Sequence, residues 1–273
     1  MGAGIAQVLV QAGHEVRLSE AGEEAARGAR DRVRRGLERA GHPELLAHVE
    51  VVAGSLAPAA ASGFDAELAV EAVPEDVSLK HEVLARIEGV VPATALIASN
   101  TSSLSIDELA GALDAPSRFL GLHFFNPVPR SALVEIVTGS ATSPDALQRA
   151  RDWVLDLDKE PIVVRDSPGF ATSRLGLAIG LEAMRMVEEG VASAADIDRG
   201  MVLGYRFPMG PLRLTDLVGL DVRLAIAEHL ASTLGDRFEP PKLLRDKVAA
   251  GELGKKSGRG FFTWDAGDPP EPA

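Results

Sequence analysis

His123, Asn126 and Glu135 are the residues of this sequence best suited, by type and spacing, to move a proton. The histidine closes the apolar run "RFLGLHFF", the asparagine opens the turn "NPVPR", and the glutamate sits in "LVEIV", twelve residues past the histidine. A strand, a proline-fixed turn and a returning strand can set His123 and Glu135 side by side. Histidine is the natural general base near neutral pH. A carboxylate on its other nitrogen fixes the tautomer and stabilises the imidazolium. The same residues also suit a satisfied, half-buried histidine beside a strand-edge glutamate, and on the pattern alone the two readings stand near even. A second polar cluster, Asn100 to Ser103 in "ASNTSSLSI", follows another buried run. Ligands of open α/β sheets sit at the carboxyl ends of strands, so Ser102 can face a cleft while Ser105 or Ser103 caps the next helix.

The opening "MGAGIAQVLVQAGHEVRLSE" has the pattern of the later part of a dinucleotide-binding loop and its helix. If Gly2 and Gly4 were the first two glycines of G-x-G-x-x-G, the third would fall on Gln7. If Gly2 is the third glycine, residues 3–12 form the first helix, Val16 to Leu18 the second strand, and Glu20 the acid at its end. An acid there binds ribose hydroxyls and repels a 2′-phosphate, which favours NAD over NADP. A small-residue helix start with a solvated Glu20 is the equally weighted alternative on these twenty residues. The glycine-loop reading puts the first strand and two glycines ahead of residue 1. Met1 is then expected to be an internal methionine preceded by about ten or more residues. A chain beginning at Met1 is expected to bind NAD poorly and to have a damaged sheet, because strand one is central in the order 3-2-1-4-5-6.

The elements that would carry these residues alternate. Strands are expected at "HEVRLSE", 49–54, 66–75, 95–103, 118–127, 133–139 and 161–170, with helices at 22–40, 77–91, 106–113 and 144–156. Alternation of this kind predicts βα units and a largely parallel sheet. After Pro168 the pattern turns helical, over 171–189, 193–204, 219–234 and 240–251, with one more strand at "GFFTW". The expected organisation is an α/β doubly wound domain over 1–165, an all-helical domain over 166–264 and a disordered Pro-rich tail over 265–273. Helix 173–189 is apolar on more than one face, which suits an interface.

The remaining polar residues are ambiguous by themselves. Glu75 and Lys80 in "EAVPEDVSLK" read as a solvated helix start, and Lys255 and Lys256 in "GKKSGRGFFTW" as a surface turn. Arg27, Arg30, Arg32, Arg34, Arg35 and Arg39 form either a solvated helix face or a contact for ligand phosphates. The chain has 273 residues and a net charge of −12, which argues against nucleic acid and anionic membranes as partners. Without cysteine there is no disulfide framework or thiolate chemistry, and the six histidines lack metal-ligand spacing, so no metal is expected. No apolar run reaches the ~18–20 residues of a membrane span and no signal peptide is seen, so a cytoplasmic protein is expected.

Taken together, "MGAGIAQVLVQAGHEV", "EAVPEDVSLK", "IASNTSSLSI", "GLHFFNPVP", "LVEIV", "DSPGF", "YRFPMGPLRLTDLVGLD" and "GKKSGRGFF" resemble the 3-hydroxyacyl-CoA dehydrogenase family, in particular its bacterial 3-hydroxybutyryl-CoA members. The resemblance covers residues 2 to about 264, and the Asn-Thr-Ser-Ser and His-Phe-Phe-Asn-Pro runs are its most specific part. It implies a Rossmann-like domain, a helical domain that forms a homodimer, and NAD-linked interconversion of (S)-3-hydroxyacyl-CoA and 3-oxoacyl-CoA. By carry-over His123 takes the 3-hydroxyl proton and Glu135 orients it. Ser102 and Asn126 hold the substrate oxygen near the nicotinamide. Gly2, Glu20, Glu75, Lys80 and Lys256 join Ser102 and Asn126 as cofactor contacts. Ser173 stands where relatives often carry a substrate-contacting asparagine, and the CoA-binding serine and lysine of some relatives have no counterpart near Gly36 and Pro43. A non-catalytic relative and a dehydrogenase of a free hydroxy acid are the rival readings.

Overall fold

The computed structural model describes residues 1–54 and 65–264, and the tail expected to be disordered lies outside the described residues. The chain divides into two compact units, Met1–Ser167 and Pro168–Ala273. In the first, α1 (Gly2–Gln11), β1 (Val16–Glu20), α2 (Glu23–Ala40) and β2 (Val49–Ala53) are followed by β3 (Leu68–Glu71), α3 (Val77–Val90) and β4 (Leu96–Ser99). Then come α4 (Ile106–Ala110), β5 (Phe119–Phe124), β6 (Leu133–Thr138), α5 (Pro144–Asp156) and β7 (Glu160–Arg165).

The strands form two sheets, β1-β2 and β3-β4-β5-β6-β7, parallel except for β5 against β6. Only residues 125–132 join β5 to β6, too few for the crossover a parallel pair needs, so the chain must reverse. No ladder joins β1 to β3 among the described residues, so the sheet is interrupted where the order 3-2-1-4-5-6 has its first strand. β4 and β5 are buried at every position, as strands covered on both faces should be. Leu96 and Ala98 of β4 and Leu120, Leu122 and Phe124 of β5 join Ile136 and Val134 of β6 and Ala150 and Val154 of α5 in the main core. α5 begins where Ser143 caps the Ala146 amide, with Pro144 in the first turn and Asp145 favourable to the dipole.

Glycine is required at 121. A Cβ there would lie 2.9 Å from both Ile106 Cδ1 and Val137 Cβ, so α4 packs on β5 only because that side chain is absent. Residues two apart share a face of a strand, so His123 points to the same side of the sheet as α4.

The second unit is helical: α6 (Thr172–Glu188), α7 (Ala194–Tyr205), α8 (Pro211–Val218), α9 (Leu220–Leu234) and α10 (Lys242–Ala249). Leu177, Leu181, Met184, Leu212, Leu220 and Leu230 are its fully buried centre. Each such side chain contributes about 1.5–3 kcal/mol of transfer free energy.

α8 lies outside the helices expected from the sequence, because "FPMGPLRLTDLVG" is bounded by Pro and Gly and reads as a turn; Pro211 in fact occupies its first turn. "GFFTW" is not a sheet strand. Asp216 of α8 draws it into a bridged loop, its carboxylate accepting the amides of Phe261 and Phe262 and the indole N–H of Trp264 at 2.9, 2.9 and 2.8 Å. No helix of the described residues is long and apolar enough to cross a membrane.

Candidate active site

His123 and Glu135 are direct cross-strand partners in the β5–β6 ladder. His123 Nδ1 lies 2.7 Å from Glu135 Oε2, with the histidine 6% and the glutamate 0% exposed. An ionised carboxylate only accepts, so Nδ1 is the donor and the neutral ring carries its lone pair on Nε2. The hairpin fixes this pairing, since a one-residue slip would turn one of the two to the opposite face. Asn126 is exposed in the turn directly after β5.

The Asn-Thr-Ser-Ser loop follows β4 at the same end of the sheet, and Asn100 Oδ1 accepts the amide of Phe124 at 3.0 Å, tying it to the end of β5 beside His123. A single carboxylate shapes the rest of that loop. Glu75 Oε1 accepts from Thr101 Oγ1 at 2.7 Å, the amides of Ser102 and Ser103 at 2.8 and 3.1 Å, and both serine hydroxyls at 3.2 and 3.1 Å. Burial works against its charge, but the bonds from Thr101, Ser102 and Ser103 and the charge of Lys80 outweigh burial and hold its pKa below the usual carboxylate value. Ser105, not Ser103, caps α4, accepting the Glu108 amide at 3.1 Å.

Lys80 is not the solvated helix-start residue that its local pattern suggests, being 1% exposed. Its ammonium lies between Glu71, at 2.8 and 3.0 Å, Glu75 at 3.3 Å and the carbonyl of Val73 at 3.2 Å. In this state it reaches a cofactor only through Glu75. Glu71 also accepts Ser99 Oγ and the Val73 amide, both at 2.6 Å, so this buried charge pair is satisfied on every side.

Glu71, Ser99, Asn100 and Lys159 went unassigned in the sequence reading, although Asn100 stood in the polar cluster. The available signal was a lone acid inside the apolar "LAVEAV" with a lysine nine residues on. Lys159 is buried and donates to the carbonyls of Val128 and Ser131 at 2.9 and 2.6 Å, fixing the turn that carries Asn126. Burial lowers its pKa, with the charge of Asp158 opposing.

For a dinucleotide, α1 begins without a side-chain cap on its amides. Gly2 lies against Leu18 of β1 and Ala72 just past β3, at the point where strand order reverses and doubly wound sheets take their ligands. A Cβ at Gly2 would meet these at 3.7 and 3.9 Å, ordinary contacts, so the described residues do not themselves demand glycine there. Glu20 is half-buried at the end of β1, with Arg32 at 3.8 Å. The arginines of α2 are exposed or half-buried, and Arg34 is committed to Glu38 and Asp31. The residues present therefore fit the ribose and phosphate ends of a dinucleotide.

In the second unit, Ser173 is half-buried in the first turn of α6. Lys256 stands in a one-turn 3-10 helix (Lys255–Ser257), bonded to both carboxylate oxygens of Asp221, and this lysine pulls the Asp221 pKa down. It is thus anchored rather than part of a loose turn.

Residues 1–167 match the family model described as the 3-hydroxyacyl-CoA dehydrogenase NAD binding domain, and residues 169–264 match its C-terminal domain. A 3-hydroxybutyryl-CoA dehydrogenase of Mycobacterium tuberculosis is 41% identical over 97% of this chain and 95% of its own length. A probable 3-hydroxybutyryl-CoA dehydrogenase of Bacillus subtilis is 39% identical over 97% and 94%. The crystal structure of the Ralstonia eutropha (S)-3-hydroxybutyryl-CoA dehydrogenase PaaH1 superposes with a TM-score of 0.89 at 37% identity, over 97% of this chain and 95% of that one. Both units, the residues that carried the resemblance and the paired histidine and glutamate agree, and the chain belongs to the 3-hydroxyacyl-CoA dehydrogenase family.

Proposed function

We propose that this chain interconverts short-chain (S)-3-hydroxyacyl-CoA and 3-oxoacyl-CoA with NAD. The observation that carries the reading is the buried His123–Glu135 contact of 2.7 Å in a member of this family. The lone pair on His123 Nε2 takes the 3-hydroxyl proton as the C3–H bond breaks, and returns it in the reverse direction. Glu135 offsets the imidazolium charge that forms. Ser102 and Asn126 hold the substrate oxygen, and Glu75 keeps Ser102 in place through its amide and hydroxyl. NAD, when bound, supplies the hydride acceptor. Gly2 with the α1 amides, Glu20, Glu75, Ser102, Asn126 and Lys256 would hold it, with Lys80 acting behind Glu75. Ser173 contacts the substrate from the helical unit. That unit also forms a homodimer, a reading supported by exposed Leu203 and Tyr205. The protein works in the cytoplasm, in acyl-CoA metabolism such as β-oxidation, without membrane or nucleic-acid partners.

Consumption of NADH with acetoacetyl-CoA tests the reading directly. A non-catalytic relative would consume none, and a dehydrogenase of free hydroxy acids would prefer acetoacetate. The chemistry matches the names of the relatives, and the acidic Glu20 predicts NADH over NADPH.

A further inference from the structure

Arg223 stands near the start of α9 and is 6% exposed. Its Nε has no hydrogen-bond partner, and no ion pair reaches its guanidinium among the described residues. Burial alone pushes its pKa down to about 10, so at neutral pH it remains charged and carries the desolvation penalty without a countercharge. Three acids on α7, α8 and α9 of this unit are committed elsewhere. Asp221, two residues earlier, is held by Lys256. Asp216 holds the loop at 261–264, and Asp198 accepts the Leu212 and Arg213 amides at 2.8 Å each. A buried cation in this condition is favoured when something it binds brings an anion.

One terminal nitrogen of Arg223 lies 3.9 Å from where a Cβ of Gly176 would be, an ordinary contact. Among the described residues, nothing else beyond α6's own backbone and the chain neighbours of Gly176 comes within 4 Å of that point, so the guanidinium borders open space at Gly176. Gly176 is three residues past Ser173 on α6, and residues three apart share a helix face. Along the axis they are separated by about 4.5 Å, a span that a short carbon chain covers. The flanking Leu175 and Val222 are exposed and apolar, a surface suited to such a chain rather than to a phosphate.

We propose that Arg223 and the Ser173–Gly176 face of α6 form a carboxylate site that selects acyl-CoA substrates whose acyl chain ends in a carboxylate. This rests on the dehydrogenase reading above and adds the substrate class to it. The planar guanidinium fork suits a carboxylate, and a methyl-ended chain leaves the charge uncompensated.

Calorimetric binding of adipyl-CoA and hexanoyl-CoA tests it. The two have equal chain length, differ at the far end, and lack the 3-oxygen needed for turnover. Adipyl-CoA is expected to bind about 10–100-fold more tightly. Arg223→Leu is expected to abolish the difference and Arg223→Lys to keep part of it. Equal affinities in the native chain overturn the proposal, as does a preference that survives Arg223→Leu. A change of oligomeric state in Arg223→Leu with no change in ligand preference also overturns it, placing the countercharge on a second copy. If Arg223→Leu fails to fold by circular dichroism, the native chain and Arg223→Lys decide. NADH consumption with acetoacetyl-CoA is measured separately, so its absence would remove the dehydrogenase reading while the affinity comparison still decides the site.

Discussion

The first unit buries Lys80 and Lys159 and the second buries Arg223; Lys159 is held by two carbonyls, while Lys80 and Arg223 are treated in opposite ways. In the first, Lys80 is enclosed by Glu71, Glu75 and a carbonyl, and Glu71 has further bonds from Ser99 and Val73. In the second, Arg223 is buried to a similar degree with no anion bonded to it among the described residues. A compensated charge is a structural device: it fixes Glu75, and Glu75 fixes the loop that carries Ser102. Arg223, with neither a countercharge nor a carbonyl acceptor among the described residues, costs stability until the proposed carboxylate arrives. His123 and Glu135 are a third case, since the ladder supplies each with a hydrogen-bond partner rather than a countercharge.

This comparison can be broken in several places. The largest effect is expected at the cross-strand pair proposed to move the proton. His123→Gln should lose about 10²–10⁴-fold in kcat with acetoacetyl-CoA while NADH binding, read by fluorescence titration, persists. Unchanged turnover would remove His123 from the mechanism. Lys80→Met should cost about 3–5 kcal/mol in urea unfolding, because it strands Glu71, and adding Glu71→Leu should recover much of that. A loss below about 1 kcal/mol would show the pair to be better hydrated than its burial implies. Arg223→Leu should have the opposite sign, raising ligand-free stability by about 1–2 kcal/mol in the same measurement. Destabilisation there would mean that the guanidinium is compensated after all.

The smallest effect concerns pH. The folded Glu75 pKa is depressed, so its contribution is fully present above the unfolded value of about 4.3 and is lost as pH falls through the lower folded value. Melting temperatures of the native chain and Glu75→Gln should therefore differ most near neutrality and converge in acid. A gap that stays constant from neutrality into acid would sever Glu75 from the acid response.

The helical character of the second unit and the pairing of His123 with Glu135 were legible because they depend on local pattern: periodicity, a proline turn and a short reversing connection. α8 and the "GFFTW" loop were not, because a carboxylate 45 to 48 residues earlier in the chain decides the loop's shape. Glu75 and Lys80 were visible as polar residues at a helix start, yet their role depends on what surrounds them. The bonds to Glu75 come from residues 26 to 28 positions away, and no spacing rule reports them.

The sequence by itself determined the family, the alternation of strands and helices, and the side-by-side placement of His123 and Glu135, since all three are written in short runs of residues. Only the tertiary structure decided which charges are compensated. That depends on the few ångströms between side chains from distant segments, because the energy of a buried charge is set by its neighbours rather than by its own type.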